Sequence, residues 1–255
     1  MKHTNRLVRH YVNQALQGQQ IALDGRSANY LTATLRLSVG AQVVLFNGAG
    51  VERWATIAAL GRGRVDMELG EATQVQAPSP LTIHLIQALA KGDAMDTAVQ
   101  KATELGVARI LPVTTQYSVV KLSEERRQRR LAHWQNVAYS ACEQCGRHYP
   151  PLIDALLPLT DCLAGLTVAG PRVLLDPSGH KPLSDLVPGR PGEVTLLIGP
   201  EGGLSTTDCA IAAEHGFEAY SLGPRILRTE TAAMAACALL QSRAGDLGAL
   251  SLHSA

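Results

Sequence analysis

Two glycine-rich segments carry residues whose types and spacing suit ligand chemistry. Residues 196–205 read LLIGPEGGLS, and residues 222–231 read LGPRILRTET. Each places Gly-Pro after an apolar residue and leads into a helical pattern, the position at which open α/β sheets hold their ligands. Glycine lets a backbone approach a ligand closely or turn with positive φ. The first segment disfavours a pyrophosphate, because Pro200 lacks an N–H donor and Glu201 adds a carboxylate, whereas phosphate sites want free amides and no nearby negative charge. The G-x-G-x-x-G spacing, the P-loop lysine and the G-x-S-x-G elbow are all absent. A ligand with hydroxyls, a base and a cationic centre fits a glycine loop bearing one acid better, and S-adenosylmethionine has all three.

The elements that must position these loops read as alternating strands and helices. Runs at 81–89, 107–113, 172–175 and 194–198 are apolar enough for buried strands. Residues 93–105 place Met95, Val99, Ala102 and Leu105 on one helical face, and Gly106 stops that helix. Ser123 precedes a long helix through about 144, with the charged run 124–130 on its exposed side, and an Ala-rich helix spans about 231–243. The last two β runs are each expected to lead through a loop into a helix. Alternation of this kind means a parallel α/β sheet.

Ahead of it, residues 20–23, 42–46, 51–58 and 64–69 read as short strands, with one helix at 27–37 and Asn47-Gly48 as a hairpin signal. That pattern suggests a small β-barrel-like domain over 1–75, joined through the proline-containing linker 76–80 to an α/β domain over 81–255. The first domain is weighted with arginine, as phosphate contact requires. Lys2, Arg6, Arg9, Arg26, Arg36, Arg53, Arg62 and Arg64 face only Asp24, Glu52, Asp66, Glu68 and Glu71.

Composition excludes several classes. The 255 residues carry 23 basic and 22 acidic side chains, so no polycationic tail drives binding. Two Phe, two Trp and six Tyr are too few for a repeated base-stacking platform. Every apolar stretch is interrupted before eighteen residues, and the basic N-terminus lacks an apolar export region, so no membrane is expected and the cytoplasm is. Five cysteines cannot all pair, and Cys142-Glu-Gln-Cys145 has no second ligand pair for zinc, which favours a structural role and no metal.

Five motifs occur in fixed order: Lys91-Gly-Asp, QKATELG at 100–106, ACEQCGR at 141–147, IGPEGG at 198–203 and LGPRILRTET at 222–231. Together they resemble the RsmE family of 16S ribosomal RNA uridine N3-methyltransferases, with RLVRHYV at 6–12 similar to the start of that family's PUA-like RNA-binding domain. The resemblance implies a SPOUT-type knotted parallel-sheet α/β methyltransferase domain preceded by the PUA-like β-barrel, a homodimer, and 16S rRNA or the assembled small subunit as partner. It implies S-adenosylmethionine held by Leu175, by Ile198, Gly199, Pro200, Glu201, Gly202 and Gly203, and by Leu222, Gly223, Pro224, Ile226, Leu227, Arg228, Thr231 and Ala232. Arg228, Arg225 and Glu230 are the expected catalytic residues, and Arg6, Arg9, Arg26, Arg36, Lys91 and Arg147 the expected RNA contacts. His133 and His148 belong to no matched motif and are expected at the surface. Other readings on this scaffold are ribose 2′-O-methylation of RNA and a non-catalytic RNA-binding assembly protein.

Overall fold

The computed structural model describes residues 8–73, 75–118, 123–189 and 191–248. Chain contacts divide it into two units, one of residues 1–78 with 139–150, the other of 79–138 with 151–255. The return of 139–150 to the first unit is invisible to a division drawn along the chain.

The first unit is a five-stranded sheet in the order β1-β3-β4-β5-β2, made of β1 (Arg9–Tyr11), β2 (Gln20–Asp24), β3 (Gln42–Phe46), β4 (Glu52–Gly61) and β5 (Arg64–Ala72). β1 runs parallel to β3, and the other pairings are antiparallel. Its core is built from alternate strand residues, among them Leu23, Leu45, Ile57, Val65 and Met67, closed by Leu31. The helix expected at 27–37 differs: α1 (Gly25–Asn29) starts earlier and passes into a π-helical turn at Tyr30–Thr34. Arg36 has a φ of 54°, a left-handed backbone that cannot continue the helix. Asn47-Gly48 does sit in a hairpin connection, but a five-residue one, with positive φ at both Gly48 and Gly50.

The second unit is an eight-stranded parallel sheet. Its elements are β6 (Leu81–Ala88), α2 (Ala94–Glu104), β7 (Arg109–Thr114), α3 (Glu124–Cys145, whose residues from 139 onward belong to the first unit), β8 (Leu152–Ile153), β9 (Leu157–Pro158) and α4 (Leu159–Ala164), then β10 (Arg172–Leu175), β11 (Lys181–Pro182), β12 (Gly192–Ile198), α5 (Thr206–Glu214), β13 (Phe217–Ser221) and α6 (Thr229–Ala244). The strand order is β11-β13-β10-β12-β6-β7-β8, with β9 also on β7. Strand side chains alternate between two cores, as a sheet covered on both faces requires. On one face, Ile83 and Leu85 of β6 and Leu196 of β12 pack with Met95 and Val99 of α2, Trp134 of α3 and Leu240 of α6. On the other, Ile86, Leu111, Leu174 and Leu197 pack with Leu159 and Leu163 of α4 and Ala212 of α5. β10 is not followed by a helix as expected; β11 and a single 3₁₀ turn at Leu183–Asp185 take that place. No described helix is long and apolar enough to cross a membrane.

Candidate functional site

β13, β10 and β12 are neighbours in the sheet, and the loops leaving their carboxyl ends line one cleft of about 440 Å³. Leu175, Asp176 and Pro177 come from β10; Ile198, Gly199, Pro200, Glu201, Gly203 and Leu204 come from β12 and its loop. Tyr220, Leu222, Gly223, Arg225, Ile226, Leu227, Arg228, Thr229 and Ala232 come from β13, its loop and the start of α6. Of the residues expected at the cofactor, Gly202, Pro224 and Thr231 are not in this lining. Asp176, Pro177, Leu204, Tyr220 and Thr229 line it without having been expected. Asp176 follows the apolar run 172–175 directly, so the rule that ligands sit beyond strand carboxyl ends was the signal available for it.

The loop after β12 is held at both ends. At its start, the Thr229 hydroxyl donates to the Gly199 carbonyl at 2.7 Å and accepts from Nε2 of the buried Gln87 at 2.9 Å. Within it, Glu201 Oε1 accepts the Lys91 backbone N–H at 2.8 Å, and the Gly203 N–H closes a turn on the Pro200 carbonyl at 2.9 Å. At its exit, Ser205 and Asp208 form a reciprocal capping box that starts α5. Gly199 is required by crowding: a Cβ there would lie 3.1 Å from Leu204 Cγ and 3.2 Å from the Gly203 carbonyl carbon. Gly203 and Gly223 have φ of 73° and 98°, conformations that favour glycine.

The cleft fits the expected cofactor in size and in donor set. Its volume lies in the range that holds a nucleoside-sized ligand. Leu175, Ile198, Leu222 and Leu227 offer apolar surface for a base, and the carboxylates of Asp176 and Glu201 suit a cationic centre. Arg228 is the N-cap of α6 and makes no side-chain cap bond, so the first amides of that helix stay available at the cleft. The guanidinium groups of Arg225 and Arg228 are engaged by no other described side chain, which removes the ordinary ion pair with Glu201 or Glu230. Glu230 sits in the first turn of α6 and off the cleft lining, where its charge complements the helix dipole.

The expected RNA contacts are dispersed. Arg6 lies outside the described residues. Arg9 is corrected: its guanidinium is buried against Glu52, the carbonyl of Cys142 and the ring of Phe46, so it is spent on holding 139–150 within its own unit. Glu52 also accepts from Thr73 and faces His148, 3.2 Å away. His148 is thus not the surface residue expected; its side chain is 12% exposed, and burial pushes its pKa down. His133 is at the surface, paired with Asp96. Arg26 and Arg36 are exposed, Arg147 is half-buried, and the exposed Lys91 uses its backbone on Glu201. Burial pushes the Cys142 thiol up to about 12, while Cys145 is exposed, and the described residues contain no metal-binding cluster.

The class follows from matches that together run through both units. Residues 77–241 match the RNA methyltransferase domain family, and residues 23–69 match the RNA methyltransferase PUA domain. A methyltransferase from Legionella pneumophila, solved with bound S-adenosylmethionine, superposes with a TM-score of 0.88 at 37% identity, covering 95% of this chain and 100% of that one. Ribosomal RNA small subunit methyltransferase E from Neisseria gonorrhoeae, bound to S-adenosylmethionine, superposes at 0.86 with 33% identity over 94% and 99% of the two chains. The Buchnera aphidicola (subsp. Schizaphis graminum) protein of the same name is 31% identical over 243 residues, 95% of this chain and 98% of its own. The chain belongs to the ribosomal RNA small subunit methyltransferase E family.

Proposed function

We propose that the protein methylates N3 of a uridine in 16S rRNA, using S-adenosylmethionine held in the cleft at the ends of β10, β12 and β13. The observation that carries this is the pair of unengaged guanidinium groups, Arg225 and Arg228, on a glycine-walled cleft. Uridine N3 lies between two carbonyls and gives its proton to solvent water as it becomes a nucleophile, so charge develops on the flanking oxygens. The cofactor supplies an activated methyl group on a sulfonium. Arg228, at the positive end of α6, is placed to donate to a uracil oxygen as that charge grows. Arg225, at the entrance of the same loop, is suited to a second oxygen or a neighbouring phosphate. The braced loop after β12 fixes the cofactor so that alignment is settled before reaction.

The same reading takes the protein as a cytoplasmic homodimer whose C-terminal segment is threaded as a trefoil knot. Small-subunit rRNA from a strain lacking the gene, incubated with protein and S-adenosylmethionine and digested to nucleosides, tests the reaction. Mass spectrometry is expected to show 3-methyluridine; a ribose-methylated nucleoside in its place overturns the assignment.

A further inference from the structure

α3 opens with Glu124-Glu-Arg-Arg-Gln-Arg-Arg130, four arginines within its first seven residues. Both acids of that turn are already occupied: Glu124 accepts from Gln128 at 2.9 Å, and Glu125 pairs with Arg129 at 2.6 Å. The next acid facing this helix, Asp96 of α2, is taken by His133 at 2.6 Å. Arg126, Arg127 and Arg130 are left with no described partner. They are neighbours on the helix surface, at i,i+4 and i,i+3 spacings, where like charges repel. They also lie near the helix N-terminus, the end at which the backbone dipole disfavours cations. Neither packing nor helix stability accounts for them.

The contrast with the other arginines is specific. Arg9, Arg53, Arg64, Arg109 and Arg172 each bond a carboxylate or a backbone carbonyl. Among the described residues, no other helix carries three unpaired guanidinium groups within five positions. A run of uncompensated cations that costs the free protein stability is accounted for by a polyanion that neutralises it on binding.

We propose that the Arg126–Arg127–Arg130 face of α3 is a docking surface for RNA phosphates, and that the methyltransferase unit itself carries a major share of RNA affinity. The inference rests on the rRNA-methyltransferase reading and places its substrate contact on a helix that the site description leaves unused. Phosphate contact through charge gives affinity without reading sequence, so this surface grips the strand while the cleft residues select the base.

The test is binding of a 16S rRNA transcript across a range of salt concentrations, with cofactor affinity measured alongside by calorimetry. The triple change Arg126→Gln, Arg127→Gln, Arg130→Gln is expected to make the log–log salt slope shallower by about two, on the scale of roughly 0.7 per single-strand phosphate contact. S-adenosylmethionine affinity stays at the wild-type value, and the melting temperature stays or rises because repulsion is relieved. The corresponding triple lysine variant restores the slope, since charge is what it needs. Arg126→Gln alone, as a milder change, gives about a third of the effect. A triple glutamine variant with the wild-type slope overturns the proposal. So does one that keeps the slope on the transcript yet loses binding to assembled small subunits, which would assign the surface to protein. Wild-type protein that binds cofactor but shows no salt-dependent RNA binding sinks the rRNA reading itself, and the surface with it.

Discussion

The hydroxyl of Thr229 donates to the carbonyl of Gly199 at 2.7 Å, fastening the first residue of α6 to the first residue of the loop after β12. Thirty positions separate them in the chain, and Gln87 on β6 holds the same hydroxyl from behind. Thr229→Val keeps the shape and strands both partners, a loss on the order of 1–3 kcal/mol. Cofactor affinity is expected to weaken by roughly tenfold or more, and Thr229→Ser to keep it. Wild-type affinity in the valine variant, measured by calorimetry, would show that the brace does not set the loop.

Gly199 and Gly202 are expected to respond differently although both belong to GPEGG. A Cβ at Gly202 meets nothing closer than Tyr117 Cβ at 3.6 Å, an ordinary contact, whereas at Gly199 it meets the loop's own backbone. Gly202→Ala should bind S-adenosylmethionine normally. Gly199→Ala should lose on the order of ten- to a hundredfold, the affinity equivalent of about 1–3 kcal/mol of overpacking. Equal titrations of the two variants would remove crowding as the reason for the glycine.

For Arg228, the expected effect belongs to the transition state. Arg228→Lys keeps the charge but loses the planar fork. Single-turnover methyl transfer at saturating rRNA should then fall by roughly 10²–10³-fold, the scale of one lost oxyanion donor. Cofactor affinity should hardly change, and Arg225→Lys should be mild. A normal single-turnover rate for Arg228→Lys would make it a docking residue.

His148 makes stability depend on pH. Burial beside Arg9 and Glu52 lowers its pKa in the fold, with the Arg9 charge adding to the effect and Glu52 opposing it. The unfolded chain therefore takes up the proton first, and stability is lost as pH falls from about 6.5 towards the folded value. Denaturant midpoints for wild type should drop between neutral pH and roughly pH 5.5 more steeply than those for His148→Gln. Parallel curves would place the pH dependence elsewhere.

The elements that were legible in the sequence are those whose burial is continuous. β6 and β12 are apolar on both faces, because helices cover both sides of the sheet, so their runs stand out. β1 was hidden, since Arg9-His-Tyr has neither alternation nor apolar character; it is a strand because β3 pairs with it in parallel and because its side chains meet Glu52, Glu143 and Tyr139. The glycine loops announced two walls of the cleft. The third wall, Asp176 and Pro177, lacks the Gly-Pro signature of the other two, since its turn carries Pro177 and closes on Gly179; it joins the cleft because β10 lies between β12 and β13. Arg9 misled because a side chain's charge is in the sequence, and its partner across 43 residues is not.

β13 is the last of the described strands in chain order, yet it lies between β10 and β11. A growing chain that has reached the end of α5 therefore holds two walls of the cleft and an open edge on β10. Such an edge recruits other chains. Loss of the residues from Phe217 onward, by an early stop or a proteolytic nick, should give an aggregating product rather than a weakly active one. Because the pairing that completes the sheet is also long-range and parallel, the slow kind to form, competence for methyl transfer should trail the completion of synthesis, and newly made protein should pass through a window in which it needs protection from its own copies.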